Sequence, residues 1–277
     1  MTKIGLTKSQ RYNIIIAEGQ AKDGGDMPRF FVRQDQIEND IISIVGEDAH
    51  HISRSLRMAQ GQMITVCDMQ GNEYDCILES FEEGRVGARI SESRHSENEP
   101  RCFIRLFQAL PKGDKLDSVI QKAVECGASE IIPFESERCV VRIKGDAEEK
   151  KYQRRNRISA EAAKQCGRSV IPQVRYSVGF DEMLSLAEES ELCLFCYEGD
   201  GTLPLGTILG RAASENGGEL PKSISIVIGS EGGFSLSEAQ KCRERGMKMT
   251  GLGKRILRTE TASGFVLACI VCFSELS

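Results

Sequence analysis

The stretch ISIVIGSEGGFSLSEAQKCRERGMKMTGLGKRILRTETASGFVLACIVCF, Ile224 to Phe273, decides the reading of this chain. Ile224, Ile226 and Ile228 alternate with Ser225 and Val227, which predicts a short buried strand running into Gly229. Gly232 and Gly233 follow Glu231, so the backbone there can take positive φ and approach a ligand at the strand's carboxyl end. Ser235 with Glu238 three residues on is a capping box, and the helix it starts is expected to run to about Arg245 and stop at Gly246. A second tight turn at Gly251-Leu252-Gly253 leads to Arg255, Arg258, Thr259, Glu260 and Thr261. From Ala262 to Phe273 nearly every residue is apolar, which predicts a helix buried on all sides. Two glycine turns thus bracket one helix and can line one pocket.

Outward from this stretch the chain divides. Residues 1–26 show no periodicity and read as a mobile leader. Residues 27–95 carry short strands at Phe30–Val32, Met63–Cys67, Glu73–Leu78 and Gly84–Ile90, with Asp68–Asn72 as a hairpin turn, which predicts a small β barrel. Arg54 and Arg57 fall between strands beside His50 and His51, one helical turn apart; they are a solvated surface cluster or a phosphate contact. Ser91–Pro100 is polar throughout and reads as the linker. Residues 96–277 then alternate strand and helix, which argues for an α/β domain with a parallel sheet in three layers. The expected elements are strands at Phe103–Leu110, Glu130–Pro133 and Leu192–Tyr197 and helices at Lys115–Cys126, Glu148–Cys166 and Asp181–Glu189.

Composition narrows the chemistry. Net charge is −5 over 277 residues, yet between Arg138 and Arg175 eleven bases face four acids, so a locally positive surface for RNA is compatible with an acidic whole. Arg138, Arg142, Arg154, Arg155 and Arg168 are the candidate phosphate contacts in that segment; the competing reading is a solubilising helix face. No apolar run is long enough for a membrane helix and no signal-peptide pattern is present, so the chain reads as cytoplasmic with no membrane partner. The pairs Cys193-Leu-Phe-Cys196 and Cys269-Ile-Val-Cys272 lie inside apolar runs without knuckle residues, so core packing is expected and no metal. Gly251-Leu-Gly-Lys-Arg lacks the leading glycine and Ser/Thr of a phosphate-binding loop, which leaves a nucleotide hydrolase without its machinery. All three histidines precede the α/β domain, so chemistry at the glycine turns must rest on Arg, Glu, Thr and backbone groups.

IGSEGGFS followed by LGKRILRTETA resembles the C-terminal signature of the SPOUT methyltransferases, and within them the family that methylates N3 of a uridine in small-subunit (16S) ribosomal RNA. The likeness extends back through KGDKLDSVIQKAVECGASEIIPFESERCVV and SAEAAKQCGR to MPRFFV at Met27, which is then an alternative start. Ser230 stands where that family usually has proline, and Cys126 where it usually has leucine. The resemblance implies S-adenosyl-L-methionine as methyl donor, a deep trefoil knot in the C-terminal domain, a PUA-like RNA-binding barrel and a homodimer. By motif it implies donor contacts from Tyr197, Glu198, Gly229, Glu231, Gly232 and Gly233, and from Leu252, Gly253, Ile256, Leu257 and Thr261. Methyl transfer to uridine N3 requires a stabilised uracil anion; Arg258, with Arg29 as a second cation, is the candidate for that role, and Glu231 or Glu260 for the proton acceptor. The other readings that stay open are a noncatalytic RNA-binding protein on the same scaffold and a methyltransferase acting on another RNA.

Overall fold

A computed structural model describes residues 27–143 and 145–276; the expected leader at 1–26 lies outside them. The N-terminal part forms β1 (Arg29–Phe31), β2 (Ile37–Glu38), β3 (Ile41–Val45), α1 (Glu47–His50), β4 (Met63–Cys67), β5 (Asn72–Glu82) and β6 (Arg85–His95). These strands make one mixed sheet in the order β1-β4-β5-β6-β3-β2, with β1 parallel to β4 and the other pairs antiparallel. Alternation places Phe30, Ile42, Ile44, Ile64, Val66 and Leu78 in a separate hydrophobic core.

The expected linker is half strand. β6 continues to His95, and residues 92–95 pair with Asn72–Asp75. Its polarity reflects an exposed strand face, which composition alone reads as loop. Beyond it Ser96 is buried against Glu73, and Glu99 accepts hydrogen bonds from the amides of Ser169 and Val170.

From residue 103 the chain forms β7 (Phe103–Ala109), α2 (Lys115–Glu125), β8 (Glu130–Glu135), α3 (Gly145–Cys166), β9 (Gln173–Val174), β10 (Val178–Gly179) and α4 (Phe180–Ala187). It continues as β11 (Leu192–Cys196), β12 (Leu203–Pro204), α5 (Leu205–Glu215), β13 (Ser223–Ile228), α6 (Leu236–Glu244), β14 (Lys248–Gly251) and α7 (Thr259–Glu275). The sheet is wholly parallel in the order β10-β8-β7-β13-β11-β14-β12, with β9 also on β8. Ile224 to Ile228 on β13 are buried on both faces, as a parallel strand between two helical layers requires. α2 packs against α3 and α7, while α4 lies on β7, β8 and β13. α7 departs from the expected all-round burial: Ala262, Val266, Leu267 and Ile270 enter the core, but Phe265, Ala268 and Cys272 are exposed.

The two sheets are joined at α3. Lys164 Nζ pairs with Asp48 at 2.8 Å and lies 5.4 Å from the centre of the Phe30 ring.

Acid should unfold the N-terminal sheet through Glu73. Burial disfavours the Glu73 carboxylate, but Arg29, Ser96 and Arg94 outweigh it and hold its pKa below the ordinary glutamate value. A depressed folded pKa gives stability that is complete above the ordinary value of 4.5 and is lost as pH falls through the folded one. The urea midpoint is therefore expected to stay level down to about pH 5 and to drop below it, with a shallower drop in Glu73→Gln.

Candidate active site

All strands of the second sheet run the same way, so β11, β13 and β14 deliver their following loops to one edge. After β13 the chain turns through Ser230–Gly233, closed by the Gly233 amide donating to the Ser230 carbonyl at 2.9 Å. Gly233 has φ +62, and a Cβ there would meet Glu198 Oε1 at 3.2 Å. α6 then starts on the capping box: the Glu238 amide donates to Ser235 Oγ and the Ser235 amide to Glu238 Oε2. Glu238 Oε1 also accepts the Glu137 amide at 2.7 Å, which docks the loop after β8 on the same cap.

The second turn leaves β14, a strand with too few apolar residues to be legible alone. Thr259 opens α7 and staples three elements: its hydroxyl donates to the Gly229 carbonyl at 2.6 Å and accepts from Gln108 Nε2 at 2.8 Å. This places Arg258, the residue just before the helix, beside the first glycine turn.

Between the turns lies a cavity of about 550 Å³. Tyr197 and Glu198 line it from just after β11, Gly229, Glu231 and Gly233 from the first turn, and Leu252, Gly253, Ile256, Leu257 and Arg258 from the second. Ile256 is 90% exposed, so it forms the rim. Two expected contacts are elsewhere. Gly232 faces away, and a Cβ on it would meet Arg138 at 3.1 Å; Thr261 is exposed and outside the wall, although Thr259 and Ala262 on the same helix line it. Lys115, Thr202, Ser230, Phe234 and Thr259 also line the cavity and were not foreseen. For Lys115 no local signal exists, because its partner Glu231 is 116 residues away.

That pair revises the role of Glu231. Lys115 Nζ lies 2.7 Å from Glu231 Oε1, and the Lys112 amide donates to both carboxylate oxygens. Burial opposes ionisation, yet these donors win and hold the Glu231 pKa below the ordinary value, so it is a poor proton acceptor. The contacts tie the first turn to Lys112 and Lys115. Glu260, the other candidate acceptor, is not in the cavity wall, and its Oε2 is buried without a partner among the described residues.

Arg29 is not at the cavity: it is held by Glu73 at 2.8 Å and by Cys67 inside the N-terminal sheet. The Arg258 side chain has no hydrogen bond or ion pair among the described residues, and it is exposed at the cavity.

The candidate phosphate contacts separate by exposure. Arg155 is buried against Glu148 and Ser177, and Arg168 against Glu99 and the carbonyls of Val124 and Ala128, so these guanidinium groups are structural. Arg54, Arg57, Arg138, Arg142 and Arg154 are exposed. Arg54 and Arg57 do not share a helical face, because the helical segment His51–Ser55, which follows α1, ends between them and Arg57 has φ +52. Arg138 donates to the Gly232 carbonyl at 3.2 Å, which sets it beside the first turn.

Cys193 and Cys196 sit three apart on β11 and so face opposite sides of the sheet. Burial pushes the Cys196 thiol up to about 12, which keeps it a neutral part of the cavity wall. Among the described residues no three His, Cys, Asp or Glu side chains converge as a metal site, and no helix is long and apolar enough to cross a membrane.

Comparison with known proteins agrees with this geometry. Residues 97–271 match the model of the RNA methyltransferase domain. A ribosomal RNA small subunit methyltransferase E from Bacillus subtilis is 36% identical over 90% of this chain and 98% of its own. The crystal structure of a ribosomal RNA small subunit methyltransferase E from Neisseria gonorrhoeae bound to S-adenosyl methionine superposes with a TM-score of 0.77 at 29% identity, covering 90% of this chain and 98% of that one. A putative methyltransferase from Legionella pneumophila in complex with the cofactor SAM gives a TM-score of 0.78 at 28% identity, covering 90% of this chain and 99% of that one.

Proposed function

The chain belongs to the ribosomal RNA small subunit methyltransferase E family of RNA methyltransferases, and from that premise we propose that it transfers a methyl group from S-adenosyl-L-methionine to N3 of one uridine in the 16S rRNA of the small ribosomal subunit. The observation that carries this reading is the cavity between two glycine turns with an unpaired Arg258 on its wall.

The residues present fit the donor. The volume of about 550 Å³ suits a nucleoside-sized ligand. Gly229 and Gly233 keep the first turn tight against its neighbours: a Cβ on Gly229 would meet the Phe234 ring at 3.0 Å and one on Gly233 would meet Glu198 at 3.2 Å. Tyr197, Glu198 and the Leu252–Leu257 turn would hold the donor's adenosine half, with Ser230 behind it. When bound, S-adenosylmethionine supplies a methyl group already activated on a sulfonium, so no metal is needed. The protein's remaining task is to present uracil N3 as an anion. Arg258 lowers the free energy of that anion by facing the charge that spreads over the uracil oxygens. With Glu231 held by Lys115, proton loss goes to solvent at the open mouth rather than to that carboxylate.

The same reading assigns the larger architecture. The separate N-terminal sheet, residues 27–95, serves as a PUA-like RNA-binding barrel, and residues 96–277 as a SPOUT domain in which the β14 and α7 segment threads a trefoil knot. The exposed apolar face of α7 around Phe265 and Ala268 supports a homodimer built on that helix. Exposed Arg54, Arg57, Arg138, Arg142 and Arg154 would meet RNA phosphates. A substrate on the small ribosomal subunit places the enzyme in the cytoplasm.

The deciding experiment is transfer of labelled methyl from S-adenosylmethionine to small ribosomal subunits lacking native modification, with the product nucleoside identified by mass spectrometry. A single 3-methyluridine is the expected product. A different methylated nucleoside would reassign the target atom. Label entering only another RNA would reassign the substrate, and donor binding without any transfer would leave a noncatalytic RNA-binding protein.

A further inference from the structure

The basic segment holds one aromatic feature that phosphate binding does not explain. Tyr152 on α3 and Tyr176, between β9 and β10, are stacked with ring centres 4.1 Å apart and planes within 7°. Tyr176 is nevertheless 46% exposed, so with one face on Tyr152 its other face looks to solvent. The Tyr176 hydroxyl donates to Glu149 at 2.6 Å, which together with the stack fixes the ring. A fixed aromatic face costs little conformational entropy when a further ring settles on it.

Charges of both signs surround it. Arg175 precedes it and pairs with Glu130, Glu149 accepts the hydroxyl and Glu148 accepts from Ser177 on the same side of α3, while Arg154 turns the other way, to Asp117. The feature also lies on a continuous path to the cavity. β10, starting two residues after Tyr176, pairs with the end of β8, and the loop beyond β8 carries Arg142 and then meets the first glycine turn through Arg138 on Gly232. A nucleic-acid strand with its target base in the cavity would pass Arg138 and the Arg142–Glu135 pair on its way to the stacked rings.

We propose that the outer face of Tyr176 is a stacking platform for an unpaired base of the RNA substrate. This rests on the rRNA methyltransferase reading above and adds how the strand flanking the target is held. Stacking on an aromatic ring tolerates any base, so the platform supplies affinity and register while base identity is read at the cavity.

The test compares Tyr176→Phe and Tyr176→Leu, using unmodified small ribosomal subunits as the probe in both filter retention and methyl transfer. Phenylalanine keeps the ring and loses the hydroxyl; leucine fills much of the space without a π face. Tyr176→Leu is expected to weaken subunit retention and raise the KM for subunits on the order of tenfold. Tyr176→Phe should match the wild type, and both variants should keep the wild-type affinity for S-adenosylmethionine. Unchanged retention in Tyr176→Leu would overturn the platform, as would equal losses in the two variants, since the Glu149 bond would then be what matters. Lost donor affinity in Tyr176→Leu would make the pair a structural brace and also overturn it. Wild-type protein that retains subunits without methylating them refutes the catalytic reading and leaves the retention comparison to decide the platform.

Discussion

Replacing Arg258 with alanine is expected to lower kcat by about 10²- to 10³-fold while S-adenosylmethionine affinity stays within about twofold. The expectation follows from where the charge sits. Arg258 stands just before α7 with extended backbone, its carbonyl accepting the amides of Thr261 and Ala262, so the helix start is held by backbone and survives the substitution. The side chain is exposed at the cavity and spends none of its charge on a carboxylate, unlike Arg29, Arg155 and Arg168. On the proposed reading it faces the developing uracil anion, and such a cation contributes in the transition state and little in the ground state. The variant should therefore show its loss in kcat, and raising the pH should recover part of it, because bulk hydroxide then makes the anion that Arg258 otherwise favours. Equal falls in donor affinity and turnover would make Arg258 a binding residue instead.

Arg168→Met is expected to cost about 3–5 kcal/mol of stability and to lower the thermal midpoint by roughly 10 °C, with RNA affinity per folded molecule unchanged. Arg168 is a buried cation whose Nε and Nη2 donate to Glu99 Oε2 and whose Nη1 donates to the carbonyls of Val124 and Ala128. Removing it leaves a half-buried carboxylate and two carbonyls short of donors at the place where the segment after β6 meets the end of α3. The double variant Arg168→Met with Glu99→Gln should recover part of the loss, because the orphaned charge is then gone. Thermal unfolding and subunit retention measured on the same samples separate this from a phosphate contact, which would show the reverse pattern.

Much of the fold was legible because its signals are local. β13, the Ser235–Glu238 box, and the helices ended by Gly127 and Gly167, both at positive φ, need only neighbouring residues to be recognised. β14 was not, since Lys248–Gly251 becomes a strand through pairing with β11 and β12. α5 is not among the expected elements; it holds Gly206 and Gly210, which weaken the local helix signal, and is supported by burial of Leu205, Ile208 and Leu209. β3 (Ile41–Val45) is not among the expected strands, and its pairing with β6 places it in the sheet. α7 is apolar on every face, and such a helix does not say which side is covered.

The sequence by itself determined the α/β plan, the two glycine turns, the family, and about half of the residues that line the cavity. Tertiary structure alone decided which charges are committed and which are available. Arg29 and Glu73 are 44 residues apart, Arg168 and Glu99 are 69 apart, and Lys115 and Glu231 are 116 apart, so no periodicity or motif links them. Whether a guanidinium binds a neighbour or a substrate depends on distance and desolvation, and both exist only once the chain has folded.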